Sequence, residues 1–211
     1  MDCQSLGSEL RATREMCLVA FQALEGTLRG RPQALPLPTL PDAQAPLFVT
    51  WHTISSRSLG PQKPEDQALR GCIGILKPIP LRQGIPKYAC VAALEDTRFS
   101  PMTLKEFDEG RLMVDVSLLV NFQRCDPLDW QVGKHGITIN YQGRSSIFLP
   151  CVAEEQGWDQ QETLLHLLHK GGSYVSKLTP AILQEITCER FEASVAHLTF
   201  DEYRAMTDSK C

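Results

Sequence analysis

The run RLMVDVSLLVN, residues 111–121, constrains the fold more than any other stretch. In an extended chain Leu112, Val114, Val116, Leu118 and Val120 share one face, while Met113, Asp115, Ser117 and Leu119 share the other. An apolar period of two does not suit a helix, whose buried face recurs every three or four residues. This is a strand with one wholly apolar face, and another layer must cover it.

The covering layer is also legible. Leu10, Cys17, Phe21, Leu24 and Leu28 recur at helical spacing over 8–29, with Arg11, Arg14, Glu15 and Glu25 assigned to the outer face. Gly30 and Pro32 end that helix. The following RPQALPLPTLPDAQAP holds five prolines and is an extended strap or loop. LFVTWHTI (47–54) and ALRGCIGI (68–75) are strand-like and separated by a polar loop, so they are expected to pair antiparallel.

Further along, Pro86 is assigned to the first turn of a helix running to about Glu95, and Thr103 with Glu106 fits a capping box. GITINY, QGR and SSIFLP read as a hairpin. Asp159 with Glu162 caps a helix over about 160–170, Thr179 and Pro180 begin a short one, and RFEASVAHLTF closes the chain as a strand. Mixed helices and hairpin-linked strands imply an α+β fold on an antiparallel sheet.

The 211 residues suffice for one substantial core or two unequal lobes. A net charge of -4 argues against bulk nucleic-acid binding, which needs a basic face. Asp2 and Glu9 stand where a signal peptide would be basic, and CLVAFQAL is too short to cross a bilayer, so no membrane association is expected. Eight cysteines without a C-x-x-C pair read as reduced thiols, which points to a cytoplasmic or nuclear location. No histidine and cysteine stand at metal-ligand spacing and no phosphate-binding glycine loop occurs, so neither a metal nor a cofactor is expected.

LRGCIG, residues 69–74, is the candidate for chemistry. Strict alternation would put Arg70, Cys72 and Gly74 on one face, the guanidinium roughly 7 Å from the thiol, where it would favour thiolate. Gly71 and Gly74 would let a ligand or another backbone come close. A small buried cysteine beside glycines that admit a helix explains the same residues. A cysteine nucleophile needs a base, and His135 in VGKHGI, followed by Gly136, is the best-placed histidine in the sequence. Glu95, Asp96 and Arg98 in LEDTRFSP, which precede Phe99, are expected to form a polar ligand site or the fastening of a helix end.

LRGCIG, together with LFVTW, DTRFSP, VSLLVNF, LDWQVGKHGI, FLPCVAEEQGWD and LLHKGG in that order, resembles the AMMECR domain family, eukaryotic branch. The resemblance implies an α+β structure with an antiparallel sheet and two unequal lobes, with a cleft near the LRGCIG strand. One domain would span 8–205, its larger lobe about 8–125 plus the C-terminal strand and its smaller lobe about 126–185, with 1–7 and 206–211 as flexible ends. It carries Arg70, Gly71, Cys72, Gly74, Asp96, Arg98, Phe99, His135 and Gly136 to a common cleft. A Memo-like protein is the partner class that prokaryotic domain fusions suggest. Cys151 stands where the family has a polar residue, and the loop over 55–67 is long.

Three functions fit. The first is a binding or regulatory module taking a small anionic ligand or a partner peptide. The second is an enzyme with Cys72 as nucleophile and His135 as base, performing acyl transfer or thiol chemistry. The third is a protein–protein adaptor.

Overall fold

A computed structural model describes residues 10–31, 40–55 and 66–208. The flexible end expected at 1–7, most of the proline-rich strap and most of the 55–67 loop lie outside the described residues. The chain forms α1 (Arg14–Leu28), β1 (Gln44–Ile54), β2 (Gln67–Pro80), α2 (Leu81–Leu94), α3 (Leu104–Asp108) and β3 (Leu112–Cys125). Then follow β4 (Gly136–Tyr141), β5 (Arg144–Phe148), α4 (Pro150–Gln156), α5 (Gln160–Lys170), α6 (Pro180–Glu185), β6 (Thr187–Thr199) and α7 (Phe200–Asp208). The strand order is β2-β1-β3-β6-β4-β5, and β1 pairs antiparallel with β2 and β3, as β4 does with β5 and β6. The fold is α+β on an antiparallel sheet. Its residues divide into two compact units, Met1–Leu118 with Ser194–Cys211, and Leu119–Ala193.

In the first unit, Leu47, Val49 and Trp51 of β1 and Val114, Val116 and Leu118 of β3 are fully buried. They meet α1 and α2, whose buried residues include Phe21, Leu24, Ile85 and Ala89. Trp51 anchors this layer: its indole N–H donates to the Ala89 carbonyl at 2.9 Å, and Phe21 meets its ring edge-on at 5.0 Å. Gly71 sets how near α2 lies to β2, because a Cβ there would be 2.1 Å from the Ala92 carbonyl oxygen. In the second unit, Trp130, Ile137, Ile139, Leu164, Leu167 and Ile186 form a separate core between the β4–β5 hairpin and its helices.

Several local expectations need correction. Helix α1 starts at Arg14, after an extended Thr13, so Leu10 precedes it. Glu25, assigned to the outer face, is buried at 6% exposure because Tyr203 and Arg29 both reach it. Helix α2 begins at Leu81, immediately after the strand, and Pro86 lies inside it. Leu149 and Pro150 open α4 rather than ending the hairpin. Phe200 starts α7, which runs through 206–208, and Thr199 with Glu202 makes the reciprocal capping bonds of its first turn. The Asp159–Glu162 capping box and the Thr179 cap are present as expected.

Two measurements test this packing. Gly71→Ala must push helix backbone away, and we expect a loss of about 3 kcal/mol or more in urea unfolding. Glu25 yields a pH signature. Burial pushes its carboxyl up, but the Tyr203 hydroxyl, Arg29 and Arg204 outweigh this and hold it below the ordinary glutamate value. A depressed folded pKa stabilises fully above the unfolded value and is lost as pH falls through the folded one. Stability should therefore drop more steeply below about pH 4 in the parent than in Glu25→Gln.

Candidate functional site

The edge strand β2 is fastened at Cys72. Its backbone N–H donates to Asp96 Oδ2 at 2.9 Å, and its carbonyl accepts from Arg98 Nη2 at 3.1 Å. Both groups therefore point away from β1, which makes Thr50–Cys72 a non-hydrogen-bonded antiparallel pair, the kind with closer side chains. The Thr50 hydroxyl accordingly donates to Cys72 Sγ at 3.1 Å. Asp96, 3% exposed at its side chain, also accepts from the Arg98 backbone N–H at 3.1 Å and from two guanidinium nitrogens at 2.9 and 2.7 Å. The Arg98 bonds, with the Cys72 N–H behind them, hold the Asp96 carboxyl well below the usual carboxylate range although burial opposes them.

Arg70 takes a different place from the one alternation predicts. Trp51 pairs with Gly71 and His52 with Leu69, so Arg70 is the extra residue of a one-residue bulge. Its guanidinium binds Glu106 at 2.6 and 3.0 Å and the Ser100 carbonyl at 2.8 Å. Glu106 thus completes only half of the expected capping box, since its N–H donates to Thr103 while its carboxylate serves Arg70. The guanidinium bonded to Cys72 is that of Arg98. Phe99 carries both cations on its ring, Arg70 at 5.7 Å and Arg98 at 5.6 Å from the centroid. Five of the anticipated residues, Arg70, Cys72, Asp96, Arg98 and Phe99, are therefore in one contact network.

The glycines serve the protein's own packing. Gly71 admits the α2 backbone, and at Gly74 a Cβ would lie 2.3 Å from the Phe48 ring and 2.4 Å from the Leu47 carbonyl oxygen.

The sheet register adds residues that the sequence alone does not single out. Thr50 pairs with Cys72 on one side and Asp115 on the other, so the three side chains form a row across the face opposite the core. His52, two residues along β1, shares that face, and its Nε2 lies 3.1 Å from Asp115 Oδ2. Asp115 Oδ1 is buried without a hydrogen-bond partner. His52 and Asp115 were visible as the polar members of alternating strands, but their meeting depends on a register that spans 63 residues.

His135 and Gly136 belong to the second unit. The Gln131 backbone N–H donates to His135 Nδ1 at 3.0 Å, and Nε2 faces Glu192 Oε1 at 3.7 Å. Burial, then Lys134 and Arg190, lower the ring's pKa. With Nδ1 accepting, the neutral ring carries its proton on Nε2, toward the carboxylate. At Gly136 a Cβ would meet the Phe191 ring at 2.3 Å. Cys151 is exposed on α4. Among the described residues no group of three or more acidic, histidine or cysteine side chains is arranged to hold a metal ion. None of the described helices is long and apolar enough to cross a membrane.

Comparison with known proteins places this geometry in a lineage. The chain is 34% identical over 199 residues to an uncharacterized protein of Arabidopsis thaliana, covering 91% of this chain and 87% of that one. It is 40% identical over 146 residues to an uncharacterized protein of Schizosaccharomyces pombe, covering 67% and 72%. The crystal structure of an uncharacterized protein from Pyrococcus horikoshii superposes with a TM-score of 0.62 at 29% identity, covering 87% of this chain and 90% of the other. Residues 17–196, which include the Cys72 network and the His135 turn, match the family model AMMECR1. The chain belongs to the AMMECR1 family.

Proposed function

We propose that this protein is a binding module that takes a partner's peptide on the sheet face carrying Cys72, Thr50, Asp115 and His52. The supporting observation is charge pairing. Arg70 is matched by Glu106 and Arg98 by Asp96, so the two cations beside the LRGCIG strand already have carboxylate partners. A small anion would compete with both, whereas a peptide offers donors to the Asp115 side chain, which is 23% exposed, and apolar surface for half-buried Phe48. The Cys72 thiol accepts from a threonine hydroxyl, which positions the sulfur and supplies no base. β2 cannot gain a further strand at Cys72, because Asp96 and Arg98 occupy its outward N–H and carbonyl. Recognition here is through side chains. Memo-like proteins are the first source of peptides to try.

A random peptide selection against the full chain, followed by NMR titration, tests this. Selected peptides should move the amides of Thr50, Cys72 and Asp115, and bind roughly tenfold more weakly to Asp115→Asn. Millimolar inorganic phosphate moving those amides in place of peptide would make this an anion site. Alkylation at Cys72 outpacing exposed Cys151 below pH 7 would make it a reactive thiol and restore the enzyme reading.

The support of the site has its own signature. Asp96 is held ionised chiefly by Arg98, so its stabilisation is complete above the ordinary aspartate value of 3.8 and is lost only as pH falls below it. The Cys72 amide shift should stay flat from about pH 7 to 4 and move only in stronger acid.

A further inference from the structure

The second unit holds a pair of thiols that the Cys72 site does not use. Cys125 ends β3, Cys188 lies at the start of β6, and their sulfurs are 3.6 Å apart. The sulfurs of Cys17, Cys72 and Cys90 have oxygen partners instead, the Ala196 carbonyl and the hydroxyls of Thr50 and Thr27. The pair lies at the wall of a cavity of about 760 Å³ that is also lined by Ile139, Leu183 and Ile186. Cys188 is 5% exposed within the core of its unit, while Cys125 is half-buried and packs against that core from outside.

We propose that Cys125 and Cys188 form a dithiol modification site, oxidised reversibly to a disulfide by a low-molecular-weight disulfide such as oxidised glutathione. Closing 3.6 Å to a covalent bond of about 2.05 Å takes a shift of about 1.5 Å, shared between two side chains. Cys125, the more accessible, attacks first: its thiolate bonds to one glutathione sulfur and releases the other as a thiolate. Cys188 then attacks the Cys125 sulfur of the mixed disulfide, forming the protein S–S bond and expelling the second glutathione. The two protein thiols lose two electrons and two protons, and the glutathione disulfide leaves as two thiols. Burial, and then Cys125 beside it, raise the Cys188 thiol pKa, which suits it to an internal second step rather than to the first attack.

The bond would join residues 63 apart and fix the start of β6 to the end of β3 at the cavity wall. Such a closure removes freedom from the unfolded chain, so the oxidised protein should melt about 5–10 °C higher.

The test is incubation of the full chain with oxidised glutathione, followed by digestion without reductant and mass spectrometry. A Cys125–Cys188 cross-linked peptide forming ahead of any other, a raised melting temperature and reversal of both by dithiothreitol are expected. Cys188→Ser should accumulate a glutathione adduct at Cys125 and show no rise in melting temperature. Stable separate adducts on both cysteines of the parent protein would overturn the proposal, as would cross-links scattered among the thiols. The parent experiment decides the matter even if the variant fails to fold.

Discussion

Asp96 accepts hydrogen bonds from two segments at once, the Cys72 N–H of the edge strand and the backbone and guanidinium of Arg98 just after α2. A carboxylate 3% exposed carries a large desolvation cost, and it is stable there only because its oxygens are occupied by charge-assisted donors. The local arrangement follows from that. Turning the Cys72 N–H and carbonyl outward makes Thr50 and Cys72 a close pair. Holding Arg98 in place sets Phe99 beside it, and Phe99 receives Arg70, whose guanidinium holds Glu106 at the first turn of α3. Removing the carboxylate would leave a strand edge open and a guanidinium without its partner.

The bulge at Arg70 explains why an arginine two residues from a cysteine is not its neighbour. Residue spacing predicts contact only while the alternation is unbroken, and the single extra residue opposite Trp51 and His52 breaks it. The same event moves Arg70 to α3 and leaves the position at Cys72 to Arg98. Two segments that look alike in sequence, each an arginine near an aspartate or cysteine, thus take different partners.

Local rules made much of the molecule legible in advance. The β3 pattern and the Asp159 and Thr179 caps depend on neighbours within a few residues, and the β1–β2 pairing joins two strands that follow one another in the chain; all are present. Pro86 misled because a proline at the first helical turn is only a preference, and the start of α2 is set instead by Leu81 bonding back to the Ala43 carbonyl. Helix α7 carried a readable capping pair, Thr199 and Glu202, hidden behind the strand pattern that precedes it. Glu25 has the helical phase of an outward charge, and its burial involves Tyr203, 178 residues away, as well as Arg29 one turn on. The His52–Asp115 and Cys125–Cys188 pairs belong to the same class, since each needs a strand register that one sequence does not disclose.

LRGCIG shows how one motif can serve two faces. Gly71 faces the helix and Gly74 packs against Phe48, so replacing either would displace protein atoms rather than block a ligand. Cys72, between them, carries its sulfur to the opposite side from Gly71, toward Thr50. The glycines are needed because the strand is crowded, and the cysteine because a small side chain fits a close pair while still presenting a polarizable atom. The packing demand on the glycines is therefore separable from the chemistry of the sulfur. A substitution that keeps both glycines and changes only Cys72 alters the open face without moving α2.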